Sequence, residues 1–128
     1  MNLLLDTCAF LWLTLKPEKL SNKFLECFKN PGNTVFLSSV SVWEISIKYS
    51  IGKLTLPVSP SRFVLEERRS HQISPLELNE SDTFHLENLP ILHKDPFDRM
   101  LICQAIERSL TILTPDPHIR KYPIRTLW

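Results

Sequence analysis

Short apolar runs alternate with longer amphipathic ones along this chain. Leu3-Leu4-Leu5 is continuous and closed by Asp6, the pattern of a central parallel strand buried on both faces. A helix over about Cys8 to Leu15 follows, capped by Asp6 or Thr7 and ended by Lys16-Pro17. A second helix over about Glu18 to Lys29 is predicted from Leu20, Phe24, Leu25, Cys27 and Phe28. Asn30-Pro31-Gly32-Asn33 is a turn cluster, and Thr34 to Leu37 a second strand. Ser38, Ser39 and Ser41 offer caps for a helix over about Val40 to Ile51, with Gly52 as its terminator. Within it Val40, Trp43 and Ile47 form the expected buried stripe.

After a linker from Leu56-Pro57 to Pro60, Arg62 to Arg69 reads as a polar helix with Phe63 and Leu65 inside it. Ile73 to Leu76 is a third strand, and a helix from Asn79 or Ser81 ends near Leu89-Pro90. Asp95-Pro96 is a strong helix start, Asp as cap and Pro as first helical residue, for a helix reaching about Arg108. Leu110 to Leu113 is a strand, Asp116-Pro117 a second Asp-Pro cap, and Ile124 to Leu127 a last short strand. Strands alternate with helices and no hairpin signal appears. The expected fold is therefore α/β, one domain over 1–128, with a mainly parallel central sheet and helices on both faces.

Composition narrows the chemistry. The chain has 128 residues, 43% hydrophobic and 23% charged, with a formal net charge of +1. That charge supplies no global footprint for nucleic acid, though a local patch is compatible with it. Only Gly32 and Gly52 are present, which excludes the glycine-rich phosphate loops. Cys8, Cys27 and Cys103 share no C-x-x-C spacing and read as three buried thiols in a reducing cytoplasm, not a zinc site. Asp6 interrupts the apolar N-terminus and no basic segment precedes it, so neither a signal peptide nor a membrane span is expected.

Against this background the stretch His93-Lys94-Asp95-Pro96-Phe97-Asp98-Arg99 stands out for its charge density. Asp6 and Asp116 each follow an apolar strand, Asp98 lies in the first turn of a helix, and Glu44 lies near the start of another. Strand C-termini and helix N-termini share one edge of an open parallel sheet, where ligands bind. Each acid has a simpler role available: caps for Asp6, Asp95 and Asp116, a first-turn acid for Asp98, and an i,i+4 partner of Lys48 for Glu44. Together they conflict, because carboxylates about 5 Å apart repel by roughly 3 kcal/mol per pair at an effective dielectric of 20. Helix N-termini offset only about 0.3–1 kcal/mol each. Convergence would favour a hard counter-cation, Mg²⁺ or Mn²⁺, and such a site suits phosphodiester hydrolysis. Arg99 and Lys94 are candidates for holding substrate phosphate, and His93 is read as a loop histidine in preference to a general base. Trp12 and Trp43 are read as core.

Four segments in this order resemble PIN-domain proteins, and specifically VapC-type toxin ribonucleases. They are Leu3-Leu4-Leu5-Asp6-Thr7 with Leu11-Trp12; Ser38 to Ile45 continuing to Lys48 and Gly52-Lys53-Leu54; His93 to Arg99; and Thr114-Pro115-Asp116. The resemblance implies a catalytic metal site of four acids at Asp6, Glu44, Asp98 and Asp116. Asp95, Thr7, Thr114 and Lys48 are its supporting positions. It further implies Mg²⁺ or Mn²⁺ as cofactor, RNA as substrate, a small cognate antitoxin as partner, and a homodimer. Two other readings stay open: an RNA-processing or DNA nuclease outside any toxin pair, and a non-catalytic RNA-binding or interaction module.

Overall fold

The computed structural model describes all residues 1–128. Five strands, β1 (Asn2–Leu5), β2 (Thr34–Ser38), β3 (Ser74–Leu76), β4 (Thr111–Leu113) and β5 (Thr126–Leu127), form one sheet in the order β3-β2-β1-β4-β5. Every pairing is parallel. The helices are α1 (Thr7–Leu15), α2 (Asn22–Lys29), α3 (Ser39–Ser50), α4 (Pro60–Ser70), α5 (Glu80–Thr83) and α6 (Pro96–Arg108). The chain runs outward from β1 through β2 to β3, then returns to lay β4 on the other side of β1. That reversal makes the C-terminal end of β1 the switch point of the sheet, the place where open parallel sheets bind ligands.

Strand alternation splits the core in two. Leu3 and Leu5 point to one face, where Phe10, Phe24, Phe63 and Val64 from α1, α2 and α4 pack on them. Leu4 points to the other, onto Leu101, Ile102 and Ala105 of α6. All three leucines are completely buried, each contributing about 1.5–3 kcal/mol of transfer free energy. The doubly covered α/β sheet expected from the apolar runs is the fold observed.

Several local expectations are corrected. The second helix does not run from Glu18. A 3-10 turn occupies Pro17–Lys19, Leu20 is extended, and α2 starts at Asn22 because the Ser21 hydroxyl accepts the Phe24 N–H at 3.0 Å. The helix expected from Asn79 is a single α-turn, α5, followed by a 3-10 turn at Phe84–Asn88. Leu89 is then extended, as a residue preceding proline tends to be. Asp116 starts no helix at Pro117. Its Oδ1 accepts the His118 N–H at 2.8 Å in a local turn, and the next helical turn is Ile119–Lys121. The last strand is only Thr126–Leu127.

Two aromatic expectations also change. Trp43 is 58% exposed, since α3 buries Val40, Ser41, Glu44 and Ile45 instead. Burial of Ser41 and Glu44, polar residues, turns the helix away from the stripe that hydrophobicity alone selects. Trp12 is half-buried, under the Lys19 ammonium and edge-on to Trp128 at 5.7 Å. In α4 it is Val64, not Leu65, that is buried beside Phe63. Of the thiols only Cys103 is buried; Cys8 and Cys27 are half-buried. Gly52 does end α3, at φ +78° in the left-handed region where glycine is unstrained. No helix is long and apolar enough to cross a membrane.

Candidate active site

Asp6, the residue after β1, is the N-cap of α1. Its Oδ1 accepts the Ala9 N–H at 2.6 Å, and its Oδ2 accepts the Thr114 hydroxyl. The Thr114 hydroxyl in turn accepts the Asp116 N–H at 3.0 Å. One buried hydroxyl thus ties the ends of the neighbouring strands β1 and β4 together and sets Asp116 beside Asp6. From α3, Glu44 points into the same space, with Lys48 bound to its Oε2 at 2.6 Å. The Thr7 and Ser41 hydroxyls, 2.9 Å apart, pin α1 to α3. Asp95 caps α6 through the Asp98 N–H at 2.9 Å, which places Asp98 in the first turn.

These segments enclose one cavity of about 310 Å³. Asp6, Glu44, Asp95, Asp98 and Asp116 all line it, with Thr7 and Lys48. Cys8, Leu11 and Trp12 complete the wall. Four separate stretches of sequence therefore deliver five carboxylates and one ammonium to one place. Thr114 lies beneath, fully buried.

The electrostatics are unbalanced. Burial pushes Asp6 up from its ordinary 3.8 to about 7; hydrogen bonds from Thr114 and Ala9 oppose this, while Asp98 and Asp116 add to it by repulsion. Asp98 is pushed up to about 6, first by burial and then by Asp95, with the contact to His93 pulling the other way. Burial likewise raises the Cys8 thiol to about 11, helped by Asp6 and Asp116, so it is no thiolate nucleophile at neutral pH. Burial works against the Lys48 charge, but Glu44, and behind it Asp95 and Asp98, hold the ammonium above its usual value. A single lysine does not neutralise five carboxylates.

As the side chains stand, no three acidic, histidine or cysteine groups are drawn close enough to hold one ion. Each carboxylate has turned toward a local donor: Asp6 to Thr114 and Ala9, Glu44 to Lys48, Asp98 to His93 at 3.2 Å. Glu44 must release Lys48 to offer Oε2 to an ion, whereas Asp98 binds His93 through Oδ2 alone. The donor set nonetheless fits a hard divalent cation, being all oxygen. A specific atom also asks for one: Glu44 Oε1 is buried without any hydrogen-bond partner. Leaving a buried charged oxygen unpaired is costly, and no protein donor meets it.

Arg99 and Lys94 are not at this cavity. They line a neighbouring apolar groove with Trp43, Leu78, Leu86, Pro96 and Met100. The Arg99 guanidinium is committed to the Pro90 carbonyl at 2.8 Å and the Tyr122 hydroxyl at 2.9 Å. His93 reaches Asp98, and its ring stacks on that of His118 at 5.6 Å. Sequence reasoning missed Ser41 and Tyr122. Ser41 was findable, being three residues before Glu44 and so on the same helical face. Tyr122 had no local signal, since its partners Leu92 and His93 lie 30 and 29 residues away.

Ribonuclease VapC16 of Mycobacterium tuberculosis is 32% identical over 95 residues, which make up 74% of this chain and 63% of that protein. The match thus spans less than two thirds of that relative's length. A structure of VapBC2 from Rickettsia felis, bound to a DNA fragment from its promoter, superposes with a TM-score of 0.72 at 17% identity, covering 99% of this chain and 98% of that one. DNA-bound VapBC from Salmonella typhimurium gives 0.69 at 20% identity, covering 99% and 97%. The PIN domain profile matches residues 3–124. With a parallel sheet in the order β3-β2-β1-β4-β5 and acids gathered at its switch point, the chain belongs to the PIN domain family.

Proposed function

We propose that this protein is a divalent-cation-dependent endoribonuclease, the toxin of a type II toxin–antitoxin pair. The observation that carries the proposal is the cavity itself: five carboxylates from four segments, with Glu44 Oε1 buried and unpaired. The likeness to a VapC ribonuclease supports RNA as the substrate class. Asp6, Glu44, Asp98 and Asp116 would hold Mg²⁺ or Mn²⁺, with Asp95 behind Asp98. When bound, the cation supplies a counter-charge for a phosphodiester and eases ionisation of water.

The chain's own residues do the rest. Thr114 fixes Asp6 and Asp116 in mutual register through its hydroxyl. Lys48, once Glu44 turns to the cation, is free to meet a phosphate oxygen. The half-buried walls of Leu11 and Trp12 limit water on one side. Arg99, tied to Pro90 and Tyr122, has a structural role in place of a phosphate contact.

The exposed apolar surface supports a protein partner, whether a small antitoxin or a second copy of the chain. Trp43, Leu78 and Leu86 are exposed and line one apolar groove with Pro96 and Met100. A surface of this kind marks interaction sites on soluble proteins. The test is cleavage of total cellular RNA with and without Mg²⁺, followed by end mapping, comparing wild type with Asp98→Asn. A Mg²⁺-dependent fragment confined to wild type is expected. Identical products from both proteins, or cleavage of single-stranded DNA alone, would sink the reading. If a small reading frame adjoins the gene, co-expression with it should yield a stable complex that suppresses cleavage.

A further inference from the structure

Tyr122 is 3% exposed and belongs to none of the elements that carry the acids. Its hydroxyl is nevertheless the most heavily used polar atom near the site. Three donors point at it: Arg99 Nη1 at 2.9 Å, and the backbone N–H groups of Leu92 and His93 at 3.3 Å each. None of the three can accept a proton. A phenolic oxygen has two lone pairs and one proton. With its lone pairs taken, the proton must go to an acceptor, and the one in reach is His93 Nδ1 at 2.9 Å. His93 Nδ1 therefore carries no hydrogen, and the neutral ring bears it on Nε2. That nitrogen faces Asp98 Oδ2 at 3.2 Å, and its N–H is directed at the carboxylate.

We propose that Tyr122 is a positioning residue for the candidate active site: it sets the tautomer of His93, and through the Nε2–H it fixes which oxygen of Asp98 is committed and which faces the cavity. The proton order is Tyr122 Oη–H to His93 Nδ1, then His93 Nε2–H to Asp98 Oδ2. Asp98 Oδ1 has no protein donor. The backbone N–H of Asp98 is held by Asp95, which fixes the main chain from which the carboxylate projects. His118, stacked parallel to His93 at 5.6 Å, keeps the ring from tipping. Orientation of a metal-facing group by a second hydrogen-bonded layer is a general way to tune such sites. The role assigned to Asp98 rests on the metal-nuclease reading; the tautomer does not.

The test separates those two. Long-range ¹H–¹⁵N spectra of the imidazoles, taken at pH 8 without metal, should show His93 in the Nε2–H form, assigned by its loss in His93→Gln. In Tyr122→Phe that form should give way to a mixture. Titration with Mn²⁺ alone should show affinity about tenfold weaker in Tyr122→Phe and in His93→Leu, the scale typical of lost outer-layer partners. His93→Gln, which keeps an acceptor toward Tyr122 and a donor toward Asp98, should recover most of the loss. If Tyr122→Phe does not fold, the His93→Leu and His93→Gln pair decides alone. An Nδ1–H ring in wild type, or equal Mn²⁺ affinity in His93→Leu and His93→Gln, overturns the inference. Absence of RNA cleavage by wild type with the expected tautomer intact would count against the nuclease reading only.

Discussion

Two buried aspartates, Asp82 and Asp6, sit in opposite surroundings. Asp82, completely buried, accepts at Oδ2 from Arg108 Nη2 at 2.8 Å, Gln104 Nε2 at 3.5 Å and the Asn79 N–H at 2.8 Å, and at Oδ1 from Arg108 Nε at 3.4 Å. Burial raises its pKa, but these partners outweigh it and hold the carboxyl below its ordinary value. Asp6 is almost equally buried, has two donors, and still rises to about 7. The difference is the company. Asp82 has one cation to itself, whereas Asp6 shares Lys48 with four other acids. A folded chain that can satisfy a buried carboxylate so completely at one place has left others short of charge at the switch point. That contrast separates a self-sufficient ion pair from a carboxylate cluster with surplus negative charge.

The largest expected effect concerns chemistry. Asp6→Asn or Asp98→Asn should lower Mg²⁺-dependent cleavage by more than about a hundredfold, beyond the effect of losing an outer-layer partner, measured as initial rates on a mapped RNA fragment. Asp6→Asn should at the same time stabilise the metal-free protein. The gap between 3.8 and about 7 corresponds to on the order of 4 kcal/mol at pH 8. Denaturant melts should find an inactive protein harder to unfold than wild type; a variant both inactive and destabilised would undo the comparison. Asp82→Ala should do the reverse. Stranding the partly exposed Arg108 and freeing Asn79 should cost about 3 kcal/mol, with no loss of cleavage per folded molecule.

The pH response tests the same shortage of charge by a second route. For Asp6 the folded pKa is raised, so the folded state binds the extra proton between about pH 4 and 7. Stability should therefore fall as pH rises through that window and stay low above it. Asp82, with a lowered folded pKa, stabilises the fold above the ordinary carboxylate range and loses that contribution on acidification. Mn²⁺ at a hundred times its dissociation constant should restore about 2.7 kcal/mol, and more of it at pH 8 than at pH 5. A thermal melt series at both values, with and without Mn²⁺, checks the sign.

Much of this is legible in the sequence. Continuous apolar runs identified the buried parallel strands, and Asp95-Pro96 marked the start of α6 where it begins. Strand-end and first-turn positions correctly predicted that Asp6, Glu44, Asp98 and Asp116 would meet at one cavity. What escaped were features set by contacts across the sheet. Trp43 lies outward because Ser41, bonded to Thr7 of another helix, takes the inward place. Arg99 is held by Pro90 and Tyr122, partners that no spacing rule connects. Asp82 and Arg108, 26 residues apart, carry no pattern that marks them as a pair.

The bond from Thr114 to Asp6 joins residues 108 positions apart in the chain. During translation at about 5–20 residues per second, the first acid leaves the ribosome roughly 5–20 s before the strand that completes its surroundings. Until β4 docks beside β1, neither Asp116 nor the Thr114 hydroxyl stands next to Asp6, and the carboxylate cluster does not exist. The nascent chain thus lacks the full cluster by topology, and the moment of its completion is set by the ribosome.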